Sequence, residues 1–167
     1  GDFYGSEQSY TMVNAGPVRI EYTSVTGSSF PLRGTVMLQA GEMIDAAVMS
    51  AGALADFIDA QIADAKAKDV LFSLHLKATM MKVSDPIMFG IAVSRFYAPV
   101  LEKHPRTLAE IGFDPNNGIG DLYAKLGQLA EAERNAIEAE IKALYAQRPG
   151  LAMVNSDKGI TNLHVPS

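Results

Sequence analysis

Cysteine is absent from the 167 residues. Disulfides, thiolate nucleophiles, zinc–thiolate sites and Cys-ligated iron–sulfur clusters are thereby excluded. A basic excess is also missing: 14 Lys and Arg against 19 Asp and Glu give a net charge of −5. That balance speaks against broad phosphate-backbone binding, and no nucleic-acid partner is expected. No apolar run approaches the roughly 18 residues of a membrane-spanning helix, so no membrane partner is expected either. The opening Gly1-Asp2-Phe3-Tyr4-Gly5 has no initiator Met and no basic-then-apolar leader, so it does not read as a signal peptide. What is present is ordinary for a globular fold: 48% apolar, 20% charged and 8% aromatic residues. The expectation is a soluble cytoplasmic domain. The missing Met, and an element expected to begin at Leu163 to Val165 just before the chain stops, suggest a piece of something larger.

The first fifty residues predict strands. Val18, Ile20 and Tyr22 alternate with Arg19, Glu21 and Thr23, the period of a half-buried strand. Thr26-Gly27-Ser28-Ser29 is turn chemistry, and Leu32, Val36 and Leu38 resume the apolar pattern, which predicts a hairpin. A third strand is expected from Glu42 to Met49. Ser50 can cap a helix over 51–67 whose stripe is Leu54, Phe57, Ile58 and Ile62. Val70 to Leu76 is a nearly continuous apolar run, expected as a strand buried on both faces. Strand, helix and strand together suggest a βαβ unit. Asp85-Pro86 reads as N-cap and first residue of a helix over 86–103, with Met88, Ile91, Ala92, Phe96 and Val100 inward and Pro99 kinking or ending it. Thr107-x-x-Glu110 resembles a capping box for a short helix stopped by Gly112. Asp114 to Gly118 is a loop, and helices are expected near 119–127 and over 130–147, the latter with Ile137, Ile141, Leu144 and Tyr145 on one stripe. A short strand candidate covers Leu151 to Val154. The fold class is therefore α/β: a mixed sheet with a β-rich N-terminal part and several packed helices.

Few residues suggest chemistry. His75, His104 and His164 show no i,i+4 metal spacing; packing or one hydrogen bond suits His75, and His104 reads as a solvated loop residue. There is no G-x-S-x-G elbow and no phosphate loop, and Gly118-Ile119-Gly120 follows a polar loop rather than a strand. Glu131, Glu133, Glu138 and Glu140 read as a solvated helix face. The exception is His75-Leu76-Lys77-Ala78-Thr79-Met80-Met81-Lys82-Val83-Ser84-Asp85-Pro86, where two Lys stand between an expected strand exit and a helix start. Ligands gather at strand carboxyl ends in open α/β sheets, and helix N-termini favour anions. A partly desolvated Lys there can titrate nearer neutrality and exchange protons. Strand-end Lys residues also serve simply as solubilising charges.

The segment Val70 to Pro86 closely resembles the monomeric-type NADP-dependent isocitrate dehydrogenases. So do Gly1-Asp2-Phe3-Tyr4-Gly5-Ser6-Glu7, Asp114-Pro115-Asn116-Asn117-Gly118, and the stretch from Leu151 through Asn155-Ser156-Asp157-Lys158-Gly159 to Ser167. The likeness covers residues 1–167, read as a single partial domain internal to a far longer enzyme. A shorter echo of the dimeric enzymes' His-Lys-Gly-Asn-Ile-Met-Lys pattern sets Lys77 against the catalytic Lys, Thr79 against the Asn and Lys82 against the second Lys. The resemblance implies oxidation of isocitrate by NADP and decarboxylation to 2-oxoglutarate, a step of the tricarboxylic acid cycle beside the glyoxylate bypass. It also implies Mg or Mn, whose Asp ligands, like the NADP-reading residues, lie outside this chain. Lys77 is the implied catalytic residue, with Thr79 and Lys82 as further substrate contacts. One departure is Phe89-Gly90-Ile91, where the pattern has Phe-Gly-His. Two other readings compete: a non-catalytic structural piece, or an anion-binding module. Partners implied are isocitrate, the remainder of the polypeptide and, for the isolated chain, further copies of itself.

Overall fold

The computed structural model describes residues 1–76 and 81–151. Two compact units divide the chain, Gly1–Ser50 and the part from Ala51 onward.

The first unit is a one-turn helix α1 (Phe3–Ser6) and two antiparallel ribbons, β1 (Gln8–Thr11) with β4 (Met43–Ala46), and β2 (Gly16–Thr23) with β3 (Ser29–Leu38). The expected hairpin is β2–β3. Its register sets Thr23 opposite Ser29 and Val18 opposite Val36, with an irregularity around Ile20. Gly27 closes the loop at φ +85°, a backbone region that glycine enters without a Cβ penalty. The expected third strand forms as the shorter β4, paired with β1, so that Gln8 faces Ala46. Asp2 caps α1 by accepting from the Gly5 N–H at 2.6 Å. The Ser6 hydroxyl both donates to Val48 O at 2.7 Å and accepts from Val48 N–H at 2.8 Å, which ties the chain start to the residues after β4.

The second unit is helical: α2 (Ala51–Ala67), α3 (Ser84–Phe96), α4 (Ala98–Leu101), α5 (Pro105–Glu110), a 3-10 turn at Pro115–Asn117, α6 (Ile119–Leu126) and α7 (Glu131–Gln147). Its core draws Ile58 and Ile62 from α2, Phe96 from α3, Leu122 and Leu126 from α6, and Ile137, Ile141 and Leu144 from α7. The stripes on α2 and α7 are those the periodicity predicts, except that Phe57 and Tyr145 are exposed, at 57% and 36%, on the flanks of their stripes. Helix and strand together make the α/β class.

Several expectations need correction. The 70–76 run is not a doubly buried strand: Val70 and Leu71 are about half exposed, and only Phe72 makes a β-bridge, parallel, to Leu151. A continuous apolar run becomes a central strand only where neighbours flank it on both sides, and among the described residues Leu151 is the one neighbour it finds. Among the described residues the βαβ unit consequently does not form: β4 pairs with β1 alone, and the 70–76 run makes no named strand to pair with it. Helix α3 starts two residues before Pro86, which sits at the third helical position, still among the N–H groups that lack an intrahelical acceptor. The helix expected over 86–103 stops at Phe96 and restarts as α4, with Pro99 in the first turn of α4. Thr107 is not an N-cap; α5 begins at Pro105, and Thr107 Oγ1 donates instead to Glu133 Oε1 at 3.0 Å. Gly112 does end that region, at φ +68°, with Phe113 N–H reaching Leu108 O at 2.9 Å and Gly112 N–H reaching Ala109 O at 3.1 Å. The strand candidate at 151–154 falls beyond the described residues after Leu151, as does Leu163 to Val165.

Candidate active site

The stretch that carries the candidate lysines is launched from the end of α2. Asp69 takes φ +53°, the left-handed conformation that usually calls for glycine. Val70 N–H donates to Ala65 O at 3.0 Å and Asp69 N–H to Lys66 O at 3.3 Å. These two bonds satisfy carbonyls that the helix end leaves open, and they turn the chain away from the α2 axis. From there, Phe72 N–H donates to Gly150 O at 2.8 Å, and the Phe72 ring packs against the helical core. A Cβ on Gly150 would touch Leu71 Cδ1 at 3.4 Å, so the two segments run close. His75 Nε2 and Ser73 Oγ share a hydrogen bond at 2.7 Å.

Lys77 and Thr79 lie outside the described residues. Lys82 is described: exposed, and two residues ahead of the first turn of α3. Asp85 in that turn is 4% exposed and accepts from Ser84 Oγ at 3.4 Å, while its N–H donates to Met81 O at 3.1 Å. The start of α3 thus joins backbone N–H groups and the positive end of a helix dipole to a solvent-facing Lys, a pairing suited to a polyanionic small molecule.

The Asp114–Gly118 motif has a structural task that its sequence did not reveal. It seats on α3 at Gly90, which is buried; a Cβ there would stand 1.9 Å from Asn116 Oδ1 and 3.0 Å from Asn116 Cα. Only glycine leaves room for this approach. Gly118, at φ +81°, packs so that a Cβ would be 2.9 Å from Phe89 Cε1. The turn is braced from within. Asp114 Oδ1 accepts from Asn116 N–H at 2.9 Å, and Asp114 N–H donates to Asp121 Oδ2 at 3.0 Å. Lys125 bonds both Asp121, at 2.9 Å, and Gly112 O. The Asp114 N–H and then Lys125 hold the Asp121 carboxyl below its ordinary range. Gly118-Ile119-Gly120 is accordingly the start of α6 and a packing surface. The signal for Gly90 was its place on the inward side of α3, where a large apolar residue would be the usual choice.

Other charged groups hold helices together. Arg95 on α3 grips Asp59 on α2, with Nε 2.9 and 3.0 Å from its two oxygens. Arg148 beyond α7 donates to Arg95 O at 3.5 Å and lies 5.8 Å over the Phe96 ring. His104 is not a free loop residue: its Nε2 is 3.0 Å from Glu140 Oε2, and Lys103 approaches the same carboxylate at 3.4 Å. The His104 bond, then Lys103, keep Glu140 below the usual carboxylate range. Part of the expected solvated face of α7 is therefore a helix-docking face. Ile91, at the position of the expected His, is half-buried. Among the described residues no three His, Cys, Asp or Glu side chains converge where they would hold a metal ion, so these residues do not make a magnesium or manganese site by themselves. No helix among them is long and apolar enough to cross a membrane.

The family model described as monomeric isocitrate dehydrogenase matches residues 1–167. A protein of Azotobacter vinelandii named isocitrate dehydrogenase [NADP] is 62% identical over the full chain, and a Colwellia maris protein named isocitrate dehydrogenase [NADP] 2 is 55% identical. A Mycobacterium tuberculosis protein of the latter name is 44% identical. In each case all of this chain is covered but only 22% of the relative, so the chain spans about a fifth of their length.

Proposed function

The chain belongs to the monomeric isocitrate dehydrogenase family, and from that premise we propose that it is an internal segment of a cytoplasmic, NADP-dependent isocitrate dehydrogenase to which it contributes the catalytic lysine, Lys77. The observation that carries this reading is the match of the whole chain at 62% identity to a protein named for that activity. Lys77 lies within the Val70–Pro86 segment, the one stretch whose residue types suggest proton transfer. Residues 1–167 then form one part of a larger domain completed by the rest of the polypeptide. NADP would supply the hydride acceptor, and Mg or Mn would polarise the substrate's oxygens. The described residues offer no set of ligands for the metal.

The part assigned to this chain is a proton transfer. As the hydroxyl-bearing carbon of isocitrate loses its hydrogen as hydride, the hydroxyl proton must go to a base, and the neutral Lys77 amine is placed in that role. Lys82 follows five residues later in the sequence and adds a second cation to the same segment. In its charged form Lys82, together with the start of α3, attracts the substrate's carboxylates; Thr79 adds a hydroxyl for orientation. The remaining residues of α3 act as scaffold.

The isolated chain is expected to be inactive, being about a fifth of its relatives. It is also expected to self-associate, because Ile20, Tyr22, Phe30 and Leu32 of the β2–β3 ribbon are each at least 47% exposed, and exposed apolar patches drive association. The deciding experiment measures isocitrate turnover with NADP and Mn by this chain and by the full-length polypeptide, with light scattering on the former. Turnover by the full-length protein alone, and a dimer or larger species for the isolated chain, are the expected results. A full-length protein without turnover would overturn the assignment, and a monodisperse monomer at high concentration would overturn the association.

A further inference from the structure

Among the contacts that hold helix α3 besides its core face, two differ sharply. Near its C-terminal end Arg95 is gripped by Asp59. At mid-length Asn116 occupies the volume that a side chain at Gly90 would fill, with Oδ1 only 1.9 Å from the position of such a Cβ. The second contact differs in kind. An ion pair between long side chains tolerates small shifts of either helix, whereas a side chain seated in a glycine notch does not. A screw shift of α3 by one residue in either direction, about 1.5 Å along and about 100° around its axis, would set Asn116 against Phe89 or Ile91 instead of bare backbone. The turn that presents Asn116 cannot easily yield, since Asp114, Asp121 and Lys125 brace it and Gly118 closes against Phe89.

We propose, on the reading that the segment ahead of α3 carries the catalytic lysine, that Asn116 and Gly90 are positioning residues that fix α3 along its own axis and thereby set the start of that helix, with Lys82 just ahead of it, against the substrate. Neither touches substrate. Their effect reaches the chemistry through a rigid helix only 13 residues long, of which Gly90 is the seventh. Misplacing a reacting group by about 1 Å can cost about 10²-fold in rate even when the cause is remote.

The test uses the full-length polypeptide and four variants: Gly90→Ala, Asn116→Gly, the two combined, and Lys77→Met as the reference for the underlying reading. Each is checked for folding by circular dichroism and thermal melting. Then kcat, the KM for isocitrate, and the primary isotope effect with isocitrate deuterated at its hydroxyl-bearing carbon are measured. Gly90→Ala drives a methyl into Asn116. A folded Gly90→Ala protein is expected to lose up to about 10²-fold in kcat with a smaller change in KM. Its isotope effect should rise as the hydride step becomes rate-limiting. A loss of stability alone would lower the amount of active enzyme and leave the isotope effect where it was. Combining Gly90→Ala with Asn116→Gly removes the clashing Oδ1 and Cγ and leaves only the Cα at 3.0 Å, so most of the lost kcat should return.

Wild-type kcat and isotope effect in folded Gly90→Ala, or a combined variant no better than Gly90→Ala alone, would overturn the proposal. Should Gly90→Ala fail to fold, Asn116→Gly decides, because it empties the notch without adding an atom: an unchanged kcat and isotope effect would sink the idea. The two levels separate cleanly. If Lys77→Met keeps its turnover, the functional reading fails; if Lys77→Met is inactive while Gly90→Ala behaves as wild type, only the positioning role fails.

Discussion

Arg95 on α3 and Asp59 on α2 meet in a two-pronged ion pair, with the arginine Nε within 3.0 Å of both carboxylate oxygens. Both side chains are about two-fifths exposed, so water screens the pair. It still fixes how two helices cross, because a guanidinium presents a planar fork that a Lys ammonium lacks.

The pair has a pH signature. The hydrogen bond from Arg95 is the main cause that holds the Asp59 carboxyl below its ordinary value of 3.8. A carboxyl depressed in the folded state contributes stability that is fully present above its unfolded value and disappears as pH falls through the lower folded one. Asp59→Asn should therefore lower the urea midpoint at neutral pH, and the difference from wild type should close in acid, below the ordinary carboxylate range. A gap of constant size across that range would contradict the assignment.

Asp69 offers a stabilising change. It occupies the left-handed region at φ +53°, where an L-residue is disfavoured by roughly 1–2 kcal/mol and Asp somewhat less. Asp69→Gly should raise stability by about 0.5 kcal/mol, after subtracting the extra freedom glycine has in the unfolded chain. Chemical denaturation of the two proteins side by side checks the sign. Asp69→Val should do the reverse, because a β-branched side chain tolerates that region poorly.

Core and flank of the helical unit should respond very differently. Leu122 is fully buried at 0% exposure, so Leu122→Ala should cost about 2–5 kcal/mol through lost transfer energy and the cavity left behind. Phe57, at 57% exposure, lies where substitutions usually stay within about 0.5 kcal/mol. Equal losses for Leu122→Ala and Phe57→Ala in urea denaturation would mean that the α2 stripe is oriented otherwise.

Lys77 is tested in the full-length polypeptide, where the rest of the site exists. Lys77→Met keeps stem length and apolar bulk while deleting the amine. The kcat for isocitrate should fall about 10²–10⁴-fold, the usual range for a general acid–base group. KM should move less, since only the charged form's attraction for the substrate's carboxylates is lost. Lys82→Met should cost clearly less. A folded Lys77→Met protein that keeps more than about a tenth of its turnover would remove Lys77 from the mechanism.

Local chemistry made much of this legible in advance. The stripes at Leu54, Ile58 and Ile62 and at Ile137, Ile141 and Leu144 placed α2 and α7, because a 3.6-residue period is written by the chain itself. The alternation at Val18, Ile20 and Tyr22 placed β2 in the same way. Pro99 marked the break after α3, and Gly112 the end of the short helix before it. Composition hid other things. Val70 to Leu76 looked like a buried strand, yet burial of such a run is set by neighbours from distant parts of the chain. Thr107 looked like a cap, but Pro105 starts the helix earlier and frees the Thr107 hydroxyl for Glu133 on α7.

The sequence by itself determined the types of the strongly periodic elements, the absence of cysteine chemistry and the segment that carries Lys77, since each depends on residues near one another along the chain. Only the tertiary structure decided that Gly90 must be bare to admit Asn116, that His104 pairs with Glu140, and that Arg95 reaches Asp59. Those contacts join residues 26 to 36 positions apart, and their physics is distance: a Cβ that would lie 1.9 Å from an amide oxygen leaves no trace in composition or period.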